Sequence, residues 1–346
     1  MPQKPPRRRT QPVQTLQPIA PPQLVDAPAY STIRQGPATN TLTKMQPNAR
    51  RNLSVDPVTG EARITQGPLS VTITDFDRLA GLRVSTYQLL DALTAALTQS
   101  GTKNPFVVLP LEEYMAKRGL KNKKETRKQV MEDLESLFNA RISFQDKIPN
   151  SRDRNFHDIR ILDSKGIQNG LICVSFGTMF YEILSNYPIM PYPERLWTIN
   201  AKHNPNSFYF LRKIAEHKNM NAGKKNEDVL SVSTLLSATP NLPFYEEVKG
   251  AGRQVNQRII EPFERDMDAL RDTLKWAYCH SNNKPLTAEE LENMDYDTFR
   301  SLLVKIDWTT YPDQTARLER KTEQTAQAKR QKNPPRRKRR APPEEE

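Results

Sequence analysis

The same order of secondary-structure signals occurs twice in the chain, with matching elements offset by roughly 120–132 residues, and this repeat limits the fold most. Each copy shows a helix, a short strand, a second helix, a turn, a long third helix and strand-like runs. A helix-turn-helix followed by a β-hairpin is a winged helix. The sequence therefore predicts an α+β fold, mainly α, with two tandem winged-helix domains, each carrying a β-hairpin wing.

The first helix of the first unit is expected to start at Ser85 or Thr86, residue types that favour the N-cap position, and to end at Gly101. A short apolar strand follows. Pro110 then opens a second helix, and Gly119 closes it. These signals predict the first two helices of a helix-turn-helix unit.

The third helix of this unit is predicted from Asn122, which stands three residues before Glu125 as in a capping box, to about Asn139. The acidic residues in its second half indicate that only its front end approaches phosphate. The runs RISF, HDIRIL and LICVSF favour strands, with a turn at residues 164–166.

The second unit begins with a helix that Asn206 or Ser207 caps, followed by a strand at residues 229–232 and a short helix capped by Ser233. It therefore repeats the order of the first unit up to the turn.

The long helix of the second unit is predicted from about Arg253 to Thr273, with a kink at Pro262. The carboxylates around Asp266 are expected on its solvated face. The runs LKWAYCHS and VKIDW then favour strands, separated by a helical insertion.

Both ends of the chain lack periodicity and are rich in proline or charge, so they are expected to be disordered. The net charge of +12 lies almost entirely in these ends, and a DNA-binding prediction must therefore rest on local patches. The predicted segments are a Pro/Gln-rich basic tail at 1–66, winged-helix domain 1 at 67–194, domain 2 at 195–312, and a charged helix with a basic tail at 313–346.

Several classes of function are not expected. Two cysteines and four scattered histidines give neither a disulfide framework nor a zinc spacing. The sequence has no phosphate-binding loop motif and no paired histidines of the kind that DNA-nicking enzymes use. We therefore expect no enzyme, no cofactor and no metal. No apolar run approaches the roughly 18 residues of a membrane span, so a cytoplasmic protein is expected.

The first candidate DNA-binding surface holds seven cations and one acid within twelve residues. They fall on the turn and the front of the third helix, which reaches base edges and phosphates in this fold. Arg127 is expected nearer the buried stripe than its neighbours. A solvated helix start without a partner is the alternative. The candidate residues are Lys117, Arg118, Lys121, Lys123, Lys124, Arg127, Lys128 and Gln129.

The second candidate surface is less basic but carries amides, which can pair with base edges. A plain polar helix face is the alternative. Wing candidates are Lys147, Arg152 and Arg154 in the first unit and Lys284 in the second. The candidate residues on the second long helix and before it are Lys249, Arg253, Gln254, Asn256, Gln257 and Arg258.

The runs LEEYMAKRGLKNKKETRKQVMEDLESLFNARISF, MPYP, NPNSFYFLRKIAEHKNMN and RIIEPFERDMDAL resemble plasmid replication initiators of bacterial mobile elements, the RepA-type initiators with paired winged helices. The resemblance covers roughly residues 70–325. It implies a non-enzymatic protein that binds double-stranded origin repeats and recruits host replication proteins that load helicase and primase. It also implies a possible homodimer that represses its own gene.

Two other functions remain open at the level of sequence. A transcriptional regulator or partition adaptor of a mobile element would share the fold and control promoters without supporting replication. A scaffold would use its winged helices to bind protein. Salt dependence separates the scaffold from the others, because DNA binding weakens with salt as counterions compete.

Overall fold

The computed structural model describes residues 30–36, 39, 53–66, 69–73, 82–101, 103–147, 154–249, 254–292 and 294–313. The segments expected to be a charged helix and a basic tip after residue 313, and the first 29 residues, lie outside this range. The prediction of a disordered tail over 1–66 is wrong where the structure describes it, because strands occur there.

These N-terminal strands pair with distant parts of the chain. Strand β1 pairs antiparallel with β10, and β4 pairs antiparallel with β6. The hydrogen-bonding partners of these strands lie far along the chain, and local sequence patterns do not predict them. The four strands are β1 (Tyr30–Arg34), β2 (Leu53–Val55), β3 (Ala62–Gln66) and β4 (Leu69–Ile73). Their partners are β6 (Ala140–Lys147) and β10 (Ile189–Pro193).

The first unit follows the predicted order. Gly101 and Gly119 end its first two helices with positive φ angles of 61° and 64°, a conformation that costs glycine least. Its helices are α1 (Val84–Ser100), α2 (Leu111–Arg118), α3 (Lys123–Asn139) and, after the wing, α4 (Thr178–Asn186). Its remaining strands are β5 (Phe106–Pro110), β7 (Arg154–Arg160), β8 (Leu162–Gln168) and β9 (Leu171–Phe176).

The strands of the first unit divide into two antiparallel sheets. One has the order β5-β9-β8 and belongs to the helix-turn-helix, and the other has the order β2-β3-β4-β6-β7. The wing is therefore the β8–β9 hairpin, and β6–β7 is an insertion. The predicted turn at 164–166 is wrong, since Gly166 pairs with Cys173 in the ladder. Asn169 and Gly170 turn the chain instead, both at positive φ, as a two-residue hairpin loop requires.

The second unit contains a sheet of the same connectivity. Its order is β11-β13-β12, in which the strand before the helix-turn-helix again pairs with the last strand. Its helices are α5 (Arg195–Thr198), α6 (Ser207–Asn221), α7 (Val232–Ala238), α8 (Tyr245–Val248), α9 (Glu261–Asp268), α10 (Ala288–Glu292) and α11 (Tyr296–Ser301). Its strands are β11 (Val229–Ser231), β12 (Leu274–Cys279) and β13 (Leu303–Trp308).

The long helix of the second unit departs from the prediction. It ends at Asp268 rather than Thr273, and a π-helical turn at Asn256–Ile260 precedes α9. The N–H of Glu261 donates to the carbonyl of Asn256, a π-type bond. Pro262 follows directly and has no N–H to donate, so the regular α-helical ladder is interrupted here.

Two of the predicted helix caps differ in the structure, and a third is confirmed. Arg83 stands at the start of α1, where the side chains of Ser85 and Thr86 turn to a buried acid instead. Ser231 rather than Ser233 caps α7, accepting from the N–H of Thr234. The predicted Asn122 cap of α3 is confirmed, since its side chain accepts from Glu125.

Asn206 precedes α6, but its side chain does not cap the helix. Its backbone and side-chain nitrogens both donate to the carboxylate of Asp266, at 2.7 and 2.8 Å. Asp266 is fully buried, so its expected place on a solvated face is wrong.

The two units share one hydrophobic core. At their junction, Arg212 of α6 forms a buried ion pair with Asp91 of α1. Gln88 donates to the carbonyl oxygen of Leu196 at 2.7 Å. The ring of Tyr87 stacks on that of Phe208, with centroids 6.2 Å apart. These contacts join the first helix of the first unit to the start of the second unit.

Candidate nucleic-acid interface

The front of α3 presents cations on one exposed face. Lys124, Arg127 and Lys128 are spaced three and four residues apart, and this spacing places them on the same side of the helix. Lys121 lies in the turn just before the helix and is also exposed. Within the described part of the chain, no carboxylate pairs with any of these four. Arg127, expected nearer the buried stripe, is exposed with the others. We call these four residues the cationic face.

Two further predicted cations lie beside this face but are paired. Lys117 contacts Glu113 at 2.9 Å, and Lys123 contacts Glu112 at 2.7 Å. Both acids belong to α2. The Lys123 pair is largely exposed, and exposed pairs of this kind are weak, so a phosphate can compete for the lysine.

Arg118 and Gln129 are not on the exposed face. The Nε of Arg118 donates to the carbonyl of Trp197 at 3.2 Å, and one terminal nitrogen donates to the hydroxyl of Tyr114 at 2.7 Å. The amide nitrogen of Gln129 donates to Ser85 at 2.9 Å. Both side chains therefore contact neighbouring parts of the protein in this structure, and their assignment to the DNA-binding surface stays a prediction.

Asp133 anchors α3 from behind. Its side chain is fully buried and accepts hydrogen bonds from Ser85 at 3.0 Å and Thr86 at 2.7 Å. Burial raises the pKa of Asp133 to about 6, although these hydroxyls and the charge of Arg83 act to lower it. This role was not among the predictions from the sequence. A signal was present, because Asp133 lies between Val130 and Leu137 at the spacing of the buried stripe.

The wing contacts the rear of α3. Lys165 of β8 forms an ion pair with Glu135, and its ammonium lies 5.0 Å from the ring centre of Phe138. The guanidinium of Arg160 lies 5.7 Å from the same ring. Glu135 follows the cationic face along the helix. Its pairing neutralises a carboxylate that would otherwise repel a phosphate backbone.

The predicted wing cations do not lie in this hairpin. Lys147 lies opposite Arg154 in the backbone ladder at the loop end of the β6–β7 insertion, and Arg152 lies outside the described residues. In the second unit, Lys284 lies at an exposed position after β12, followed by acidic residues on α10, including Glu289 and Glu290. Two further exposed lysines, Lys275 and Lys305, lie on β12 and β13.

The start of the long helix in the second unit exposes mostly uncharged polar groups. Gln254, Asn256, Gln257 and Arg258 are all exposed, the last three within the π-helical turn. Arg253 lies outside the described residues. Lys249 is also exposed, with its ammonium 5.7 Å from the ring centre of Tyr245. This surface offers amide donors and acceptors rather than a dense positive charge.

Neither a metal cluster nor a membrane span is found in the part of the chain that the structure describes. Its histidines, cysteines, aspartates and glutamates form no group of three or more that could hold a metal ion. None of its helices has the length and apolar character needed to cross a bilayer.

No known family model matches the sequence, and no curated protein matches it either. Solved structures do. Domains 2 and 3 of RctB match in a selenomethionine derivative with a TM-score of 0.44 and 11% identity, over 77% of this chain and 94% of that chain. A second structure of RctB domains 2–3 matches with a TM-score of 0.37 and 11% identity, over 75% and 90% of the two chains.

A third match is the WH1 domain of MSBI1.176, a replication protein isolated from a multiple sclerosis patient. Its TM-score is 0.26 at 15% identity, over 34% of this chain and 86% of that chain. A replication protein is thus among the solved structures that this chain resembles.

Proposed function

We propose that this chain is a replication initiator of a plasmid or mobile element that binds double-stranded origin repeats through two tandem winged-helix domains. The cationic face of α3 carries the proposal. Four exposed cations that pair with no carboxylate among the described residues occupy the turn and front of this third helix. In a helix-turn-helix this is where the fold contacts phosphates and base edges.

The geometry of α3 supports DNA as the partner. Its N-terminus offers backbone N–H groups and a partial positive charge to a phosphate. Asp133 and Gln129 hold the helix from its buried side, so the exposed side chains are presented on a fixed support. A preorganised surface loses less conformational entropy on binding.

The second unit adds a polar reading surface. The exposed amides of Gln254, Asn256 and Gln257 can pair with base edges, adenine above all, and Arg258 can pair with guanine or phosphate. The buried Asp91–Arg212 pair links the two units. In this proposal both third helices therefore bind the same duplex at a fixed distance and orientation to each other.

The remaining parts of the proposal come from the sequence resemblance. The protein acts in the cytoplasm without catalysis, cofactor or metal, recruits host proteins that load helicase and primase, and forms a homodimer on the operator of its own gene. Each of these is separable from DNA binding and has its own assay.

The test is a footprint of the purified protein on the fragmented DNA element that encodes it, at moderate salt. Protection of several repeats of equal length beside an AT-rich stretch would support the initiator. Protection of one inverted repeat over a promoter would favour a transcriptional regulator. A complex insensitive to salt, or no preferred fragment, would contradict sequence-specific DNA binding.

A second assay isolates the replication role. A mini-replicon with the origin should replicate only when the gene is present. Normal replication without the gene, together with a positive footprint, would leave a regulator or partition adaptor.

A further inference from the structure

One residue on the exposed side of α3 does not match the chemistry of its neighbours. Met131 is 43% exposed and lies three residues after Lys128, four after Arg127 and seven after Lys124. These spacings place its thioether on the same face as the cations. Met131 lies about 10 Å along the helix from Lys124, given a rise of about 1.5 Å per residue.

The surroundings of Met131 limit what it can contact. Cations precede it on the exposed face, and Glu135, which follows by one turn, is neutralised by Lys165. A ligand that matches this face carries several negative charges opposite the cations and an apolar group opposite Met131. Duplex DNA has both features. In its major groove the C5-methyl of thymine is the apolar group on a base edge.

We propose that Met131 is a specificity-determining residue that packs against a thymine methyl group in the bound site. The inference rests on the proposed DNA-binding function and refines it, because it names a base and the atom that is read. Methionine suits this contact, since its unbranched, polarisable side chain adapts to an irregular surface.

Single exposed apolar residues are common on protein surfaces, so the experiment needs a matched residue. Met220 at the end of α6 provides it. It is 58% exposed and lies outside both third helices. Met131→Leu is the conservative variant, because it keeps an apolar side chain of similar volume.

The probe is a duplex obtained by selection from a random library with the wild-type chain, and then remade with each thymine replaced singly by deoxyuridine. Uracil keeps the O4 acceptor and the base pairing of thymine and lacks only the methyl group. We expect one or two positions at which uracil weakens wild-type binding by about three- to fivefold, the effect of one buried methyl group.

Met131→Ala should lose about the same factor on the all-thymine duplex and become insensitive to uracil at those positions. Met131→Leu and Met220→Ala should keep the wild-type sensitivity. If the wild-type chain binds every uracil duplex equally, or if Met131→Ala stays sensitive, the assignment of Met131 is wrong while DNA binding stands. If selection yields no preferred duplex, the proposed DNA-binding function itself fails.

Discussion

The hydroxyl of Tyr192 donates to the carboxylate of Asp91 at 2.8 Å, and the same oxygen of Asp91 pairs with Arg212. All three side chains are buried at the junction of the two units. The carboxylate of Asp91, on the first helix of the first unit, thus contacts the last strand of that unit through Tyr192 and the first long helix of the second unit through Arg212.

Removing one of these three side chains should lower the free energy of unfolding. Arg212→Ala leaves a buried carboxylate without its counter-charge and should lower the free energy of unfolding by about 3–5 kcal/mol. Tyr192→Phe should cost about 1.5–3 kcal/mol, because it removes a hydrogen bond to a charged group. Denaturant unfolding measures both. Lys213→Ala, which removes a partly exposed pair with Glu216, should cost less than about 1 kcal/mol and serves as control.

The buried carboxyl of Asp133 predicts a dependence of stability on pH. Its pKa is raised from 3.8 to about 6 by burial, so the folded chain binds this proton more tightly than the unfolded chain. The resulting stabilisation is complete below about pH 4 and is lost as pH rises through about 6, a change of about 3 kcal/mol. Asp133→Asn should remove this dependence while retaining an oxygen that accepts from Thr86.

The measurement for Asp133 is the free energy of unfolding of the variant minus that of the wild type, from pH 4 to pH 7. This difference should become more positive as pH rises, because the wild type loses stability and the variant does not. Asp158→Asn, at a partly exposed position on β7, is the control. A difference that stays constant over this range would rule out the burial argument.

The cationic face predicts a salt dependence. Lys124→Ala combined with Lys128→Ala should weaken DNA binding and reduce the slope of log K against log salt by about 1.8, or about 0.9 for each lost phosphate contact. Titrations over a range of salt measure the slope. The double variant Lys202→Ala and Lys213→Ala, away from both third helices, should leave it unchanged. Equal slopes for wild type and the first double variant would refute this placement of α3.

The ion pair between Lys165 and Glu135 predicts a loss of DNA affinity that a second substitution can restore. Lys165→Ala removes the positive charge that faces Glu135 beside the cationic face and should weaken DNA binding at low salt by roughly three- to tenfold. Adding Glu135→Gln should restore most of that loss. If the restored affinity does not appear in the double variant, Lys165 acts by some route other than neutralising Glu135.

Local signals were sufficient for much of the fold. Asn122, Gly101 and Gly119 mark helix ends through contacts within a few residues, and the structure confirms all three. The exposure of Lys124 and Lys128 followed from their helical spacing, whereas Arg127 was expected nearer the buried stripe and is exposed.

Contacts between distant residues account for the errors. Ser85 and Asp133 are 48 residues apart, and their hydrogen bond replaces the predicted cap. Gln129 lies off the buried stripe by helical geometry, yet Ser85 takes its amide. Asp266 is a charged residue type that is normally exposed to solvent. It is buried here because Asn206, 60 residues away, donates hydrogen bonds to its carboxylate. The partner that such a residue contacts far along the chain cannot be identified from a local window of sequence.

Strand β1 bears on how the protein can be divided for experiments. It covers β10, and the hydroxyl of Tyr30 reaches the carbonyl of Thr310 at 2.6 Å, near the end of the second unit. An expression fragment beginning at residue 67 would remove β1 to β3 and leave β4 and β10 with bare hydrogen-bonding edges. Bare edges recruit strands from other molecules, so such a fragment should aggregate, and a soluble one must begin before Tyr30.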